Sequence, residues 1–299
     1  MSVVNRVWDT TAGPAFVSWR SVTPDPDGDL YPGPGTFGVD TSDYAVVQER
    51  IEQDYVRPVN PPLSPPLGAV QGLWLFDGNL NDESPNAITL SVQGGLTERY
   101  AAAPVPMTEG FHKQAAGYLE DTSVDSAMQI GGEMTGELMF KPANFVGIGA
   151  TGNSTYLMLP TQTAALATSN IPWGFSLSNL AASLNEFEYL HEYSTGDPNI
   201  ERELSGITIV PGRWHHLAFT RDASGTLIRM YVNGLLVRRV TVSNAPAPGA
   251  NARLRIGDES GGNFRADGTW AWARITDRAF RAEHVMASAR ATLPPEMRP

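Results

Sequence analysis

Apolar residues recur along the chain in short runs separated by polar, glycine-containing breaks, and the clearest such block is residues 211–240. Trp214, His215, His216, Leu217, Ala218 and Phe219 form a ridge that leads into Thr220 and Arg221. At 222–225 Asp, Ser and Gly supply the backbone conformations a chain reversal needs. Leu227, Ile228, Met230, Tyr231 and Val232 then read as a second strand. Asn233-Gly234 follows, the signal for a type I′ hairpin whose twist matches its flanking strands. Leu235 to Val240 is the return strand. Further short runs at 73–76 and 87–92 predict more strands, with a loop reaching Gly110.

The first 71 residues follow another pattern. Ten of the 23 prolines fall in residues 1–70, nine of them in PDPDG, YPGPG and VRPVNPPLSPPLG. Proline fixes φ and removes a ladder donor, so these stretches predict extended arms. Between them Tyr44, Val47, Ile51 and Tyr55 recur at helical spacing, with Ser42 or Asp43 as cap and Pro58 as stop, which predicts one helix over 42–56. One amphipathic helix between proline arms cannot bury its own face. Trp8, Phe16, Val17, Trp19 and Tyr31 are more large apolar groups than a solvated linker carries. The reading is a docking arm over 1–71, followed by a sandwich domain over 72–299.

The segment WHHLA at 214–218, followed by a strand ending in Asn233-Gly234, resembles the signature hairpin of the laminin-G and pentraxin-like group within the concanavalin A-like jelly rolls. LWLFDG at 73–78, with Asp82, Ser84 and Asn86, is similar to that group's W-x-F-D-G…N-D-x-S-G-N opening, with Pro85 where glycine is usual. QAAGYL at 114–119 resembles its G-x-A-L strand and LMFKP at 138–142 its W-V-K-P strand, preceded by Gly136. Residues 254–257 and 268–280 resemble I-G…G-x-I-D-E-V-R-I-Y-N-R-A-L. The resemblance covers about residues 72–291 and implies strands at 114–119, 138–142, 254–257 and 268–280 with a short closing helix over 281–291. It implies an all-β jelly-roll sandwich that binds rather than catalyses.

Charge and composition narrow the partners. The chain has 299 residues, 41% of them hydrophobic, which is ample for a full core, and a formal charge of −11. That balance argues against nucleic acid and against an anionic membrane surface. No apolar run approaches the roughly 18 residues of a spanning helix, and the first residues do not read as a secretory signal. Cysteine is absent, which removes disulfides and thiolate metal sites, whereas laminin-G domains of animals commonly carry disulfides. Lysine occurs at Lys113 and Lys141 alone.

Four groups of residues raise chemistry. Glu186, Glu188 and Glu192 fall on one strand face by alternation, opposite Phe187, Tyr189, His191 and Tyr193. This is similar to the E-x-D-x-x-E of family 16 β-glucanases on the same fold, where a retaining mechanism needs two carboxyls about 5–5.5 Å apart. Glu188 replaces the central aspartate, the characteristic bulge is not evident, and the expectation is an acidic solvated face rather than a catalytic one. His215 and His216 point to opposite faces of a strand and so cannot ligate one ion together. Calcium is the one cofactor the resemblance keeps open, through Asp77, Asp82, Asp258 and Asp267. Ala271 and Trp272 stand where the family has an acidic pair, so no cofactor is expected and turn formation is the simpler role of those acids. For a glycan, Trp173, Tyr193, Trp270 and Trp272 are the candidate platforms, the last two sharing one face by alternation, although most aromatics in a sandwich face the core and that is the favoured role.

The expectation is therefore a non-enzymatic virion structural protein, a phage decoration, head-fibre or tail component. Residues 1–71 would bind other virion proteins and sister copies, and the sandwich would stabilise the particle or engage host-surface glycans. A secreted, extracellular bacterial carbohydrate-binding module is the alternative, and a family 16-like glycoside hydrolase the third reading.

Overall fold

The structure, a computed structural model, describes the backbone of residues 3–7 and 18–22, and residues 70–298 except 105, 115–116, 122–127, 144–154, 163–170, 179–184, 194–199, 248–251 and 259–264. The helix expected over 42–56 lies outside the described residues, as does most of the arm. What is described there is a hairpin of β1 (Val3–Val7) and β2 (Ser18–Val22), antiparallel from Val3 opposite Val22 to Val7 opposite Ser18.

The remaining strands form two antiparallel sheets, as the jelly-roll expectation requires. One has eight strands. Its main path runs β15 (Leu235–Thr241), β14 (Leu227–Val232), β13 (His215–Arg221), β8 (Met134–Pro142), β17 (Gly268–Thr276), β6 (Glu109–Lys113), β5 (Tyr100–Ala102), and β3 (Val70–Trp74) also pairs with β17. The other runs β12 (Ile200–Thr208), β11 (Glu186–Glu192), β10 (Gly174–Leu177), β9 (Thr155–Gln162), β16 (Ala252–Ile256), β7 (Tyr118–Asp121), β4 (Leu90–Gln93). Helix α1 (Ala282–Thr292) follows the last strand.

The Asn233-Gly234 turn has positive φ at both central residues, 54° and 81°, which is the type I′ geometry, and Val232 pairs directly with Leu235. The stretch expected as a loop up to Gly110 instead contains β5 and the start of β6, too short to show a period. Strand β3 joins the eight-stranded sheet because Gly72, Leu73 and Trp74 pair with Ile275, Arg274 and Ala273 of β17.

Alternate residues of both sheets meet in one core that includes Trp74, Phe111, Phe140, Trp173, Phe175, Phe187, Tyr189, Phe219 and Trp270. Packing there is close. A Cβ at Gly136 would come within 2.7 Å of Phe175 and 2.8 Å of Phe219, so only a hydrogen fits where β8 passes those rings. Arg221 crosses the buried end of this core. Its guanidinium donates to the carbonyls of Gly132 at 2.8 Å, Pro172 at 2.6 Å and Ile130, and to the Tyr189 hydroxyl at 3.1 Å.

Candidate functional site

The acids of β11 come first because they carried the catalytic expectation. Glu188 and Glu192 are 2% and 1% exposed, not a solvated face. The reason is that each carboxylate is enclosed by partners. Glu188 accepts from Ser176 Oγ at 2.6 Å and pairs with Arg202 at 3.5 Å. Glu192 accepts the Ile171 N–H at 3.0 Å, and Glu186 accepts the Gly206 N–H at 3.1 Å. The register shift between Glu186 and Glu188 places the extra residues on β12, between Leu204 and Thr208, rather than on the strand bearing the acids. Phe187, Tyr189 and His191 are fully enclosed, as the alternation predicted. Burial pushes the His191 pKa down to about 4, although its Nε2 donates to the Asn244 carbonyl at 2.9 Å.

The histidine pair also separates. His215 is bonded through Nε2 to the backbone of Val210, whereas His216 lies 3.3 Å from Glu137 beneath Trp272. Glu137 is fully enclosed. Burial would raise its pKa, but Arg274 and His216 more than offset this and hold it at about 2. Arg274 donates to Glu137 from Nε at 2.9 Å and to Ser288 Oγ of helix α1 at 3.0 Å, so this network pins the helix to the sheet.

The calcium candidates are dispersed into structural roles. Asp82 Oδ1 accepts the N–H groups of Leu73 and Ser84, and Oδ2 accepts Ser84 Oγ and the Ile88 N–H. Asp77 Oδ1 accepts from the Thr108 side chain and the Thr108 and Glu109 N–H groups. Asp267 binds Arg265 and lies 3.3 Å from the buried Lys113 ammonium, whose pKa burial lowers against the opposing pull of Asp267 and Asp258. Among the described residues no three His, Asp or Glu side chains gather as an ion site.

The platform expectation for the tryptophans needs correcting. Trp173, Trp270 and Trp272 are completely enclosed, so none offers a ring face to a sugar; Tyr193 is half-buried. Nor do Trp270 and Trp272 share a face. A bulge between them takes the partner of β17 from Phe140 directly to Met139, so Trp270 packs in the central core and Trp272 joins a second cluster on the outside of the eight-stranded sheet.

A surface the sequence reading missed lies on the outside of the seven-stranded sheet, where β4, β7 and β16 run side by side. Leu90, Leu119, Leu254 and Ile256 point into the core. Alternation therefore sends Ser91, Gln93, Tyr118, Glu120, Arg253 and Arg255 outward. Ser91 pairs with Glu120, Gln93 with Tyr118, and Arg255 with Glu120, so the six side chains are neighbours. Arg255 grips Glu120 Oε1 through Nε at 2.8 Å and Nη2 at 2.7 Å, and its guanidinium lies over the Tyr118 ring at 4.7 Å. Gln93 donates to Ser91 Oγ at 2.9 Å. Ser91, Gln93, Tyr118 and Arg253 are half-exposed over this fixed base. The result is an aromatic ring on a rigid, pre-paired polar strip. The alternations Tyr118-Leu119-Glu120 and Arg253-Leu254-Arg255 were visible in sequence. Their pairing across more than 130 residues was not.

Comparison with known proteins agrees with this architecture. No curated protein matches the sequence. Among solved structures, domain 4 of a GH43 extracellular arabinanase from Geobacillus stearothermophilus, solved with arabinotriose, superposes with a TM-score of 0.56 at 17% identity, over 74% of this chain and 98% of that one. The binding domain of Paraclostridial Mosquitocidal Protein 1 gives a TM-score of 0.57 at 13% identity over 75% and 52%. The botulinum neurotoxin serotype G binding domain gives 0.51 at 10% over 73% and 50%. The chain thus spans about half the length of the toxin binding domains it matches. A laminin-G-type family model covers residues 123–286, more than half of the sequence, and with the two-sheet fold it shows that the chain belongs to the concanavalin A-like lectin/glucanases superfamily.

Proposed function

We propose that this chain is a non-catalytic glycan-binding module, displayed on a virion surface by its N-terminal segment. The observation that carries the binding half is the strip of Tyr118, Arg253, Arg255, Glu120, Ser91 and Gln93: a ring for a sugar face beside fixed donors and acceptors for hydroxyls. The arabinanase domain similar to this chain was solved with arabinotriose, which favours a saccharide as ligand. The acids of β11 each serve a structural partner, which supports binding over hydrolysis.

The virion half rests on the proline-rich segment before Val70 and on the β1–β2 hairpin, because a two-stranded hairpin is marginal in water until it meets a further surface. Its role would be anchoring to sister copies and other virion proteins, with many copies supplying avidity to a weak site. A secreted bacterial carbohydrate-binding module is the second reading, favoured by the match over 98% of the arabinanase domain.

Calorimetric titration of the full chain with neutral arabino- and gluco-oligosaccharides, beside Tyr118→Ala, tests the binding half. Saturable binding that Tyr118→Ala weakens supports it. Binding unaffected by Tyr118→Ala moves the site elsewhere, and hydrolysis of any probe overturns the non-catalytic reading. Sedimentation of the full chain beside a chain beginning at Ala69 tests the anchor: assembly lost with the segment supports the virion reading, whereas a monomer in both cases favours the secreted module.

A further inference from the structure

We infer that the strip takes an anionic saccharide, whose carboxylate or sulfate seats on the guanidinium of Arg253; this rests on the reading of the strip as a glycan site. Two observations carry it. Arg253 and Arg255 stand on β16 beside a single carboxylate, Glu120, so the strip holds one more positive charge than negative in a chain whose overall charge is −11. Beyond a Debye length of about 8 Å at physiological salt the chain's overall charge is largely screened, and the local balance decides what docks.

The two arginines are also unequally committed. Arg255 is 7% exposed in its side chain and spends Nε and Nη2 on Glu120. Arg253 is 31% exposed and reaches Glu120 Oε2 through Nη1 alone, at 3.4 Å. Its Nε–H is shielded from water, so the exposed part of the guanidinium is what a ligand can reach. An exposed guanidinium N–H donates a charge-assisted hydrogen bond to a carboxylate or sulfate oxygen. With Nη1 turned to Glu120 and Nε shielded, Arg253 offers such an oxygen the exposed remainder of its guanidinium. Tyr118, held by Arg255 on the neighbouring strand, supplies the ring against which the sugar body lies.

The test is calorimetric titration of the full chain with three oligosaccharides of equal length, one built of hexuronates, one sulfated and one neutral, at low and at physiological salt. At least one acidic probe is expected to bind about tenfold or more tighter than the neutral one, as a charged hydrogen-bond pair provides. Which acidic probe wins separates carboxylate from sulfate. Arg253→Gln removes the preference, Arg253→Lys keeps the salt dependence but loses part of the preference, and Tyr118→Ala weakens all three probes. Equal binding of the three probes overturns the inference and leaves the glycan reading standing. Binding of none overturns both. A lower melting temperature in Arg253→Gln with unchanged selectivity assigns that side chain to structure and also overturns the inference.

Discussion

On the outside of the eight-stranded sheet, Met139, Ala271 and Trp272 are enclosed with Ala289 and Leu293, while Ala218 and Tyr231 are enclosed with Phe280, Ala282 and Val285. On the outside of the seven-stranded sheet, at β4, β7 and β16, the corresponding positions are Ser91, Gln93, Tyr118 and Arg253, and all are half-exposed. Both faces contain arginine–glutamate pairs, yet the pairs do different things. Arg274 and Glu137 are sealed under helix α1 and tie it down through Ser288, whereas Arg255 and Glu120 form the floor of an open strip. A helix covers one outer face, whereas on the other the part at β9 to β11 is enclosed around Tyr156, Leu159, Ile171 and Leu190 and the part at β4, β7 and β16 is open among the described residues. That division gives four measurements, which break or sharpen it in descending order of effect.

The largest effect belongs to the sealed face. Arg274→Met leaves the fully buried Glu137 carboxylate without its cation, a change that typically costs about 3–5 kcal/mol. Urea unfolding should show a loss of that order, while saccharide binding by the folded fraction stays as it was. A loss under about 1 kcal/mol would mean the pair does not anchor the helix.

Acid is the second lever. His191 is held at about 4 against an ordinary 6.5, and Glu137 at about 2 against 4.5. For both groups the unfolded chain binds protons before the folded one does, so stability rises with pH between each pair of values. The His191 contribution is complete above about pH 6.5 and is lost as pH falls to about 4; the Glu137 contribution is lost between about 4.5 and about 2. Each is on the order of 3 kcal/mol at full extent. Unfolding free energies measured from pH 7 to 3 should fall in two overlapping stages, and His191→Gln should flatten the first. An unchanged slope in that variant would show that another group carries it.

These two levers also mark what could be read from the sequence. Asn233-Gly234, the 214–219 ridge and the inward set Phe187, Tyr189 and His191 follow from local period and turn chemistry, and they stand as read. Trp270 and Trp272 do not, because a one-residue bulge reverses the face of everything beyond it, and neither residue announces the bulge. Glu188 and Glu192 carry an outward alternation that says nothing about Ser176, Arg202 or Ile171, which close over them from the flanking strands and the segment before β10. The strip failed to appear for the same reason. Its floor is a pair, Glu120 with Arg255, that only the sheet order brings together.

Third comes the contact between the hairpin and the helix. Gly234 has φ +81°, and a Cβ there would lie 2.8 Å from Ala289 Cβ and 3.0 Å from Met286 Cα. Gly234→Ala adds overpacking to backbone strain, at about 1–3 kcal/mol. A cost this size, seen as a lower melting temperature, would show that α1 is docked on the turn; a neutral result would mean that the helix gives way there and seals its face less tightly than the arginine network implies.

The smallest effect on stability, and the sharpest on binding, is expected at Tyr118. The ring is half-exposed and its main buried-side partner is the Arg255 guanidinium, which keeps both bonds to Glu120 when the ring is removed. Tyr118→Ala should therefore cost about 1 kcal/mol or less in unfolding. Saccharide affinity should fall roughly tenfold, the order of loss that one aromatic contact carries. Trp272→Ala predicts the opposite, a loss of about 3–5 kcal/mol in stability with binding unchanged in the folded fraction, because that ring is completely enclosed on the other face. If both variants lowered stability and neither altered binding, the two outer faces would be equivalent in kind, and helix α1 would be no guide to where the ligand sits.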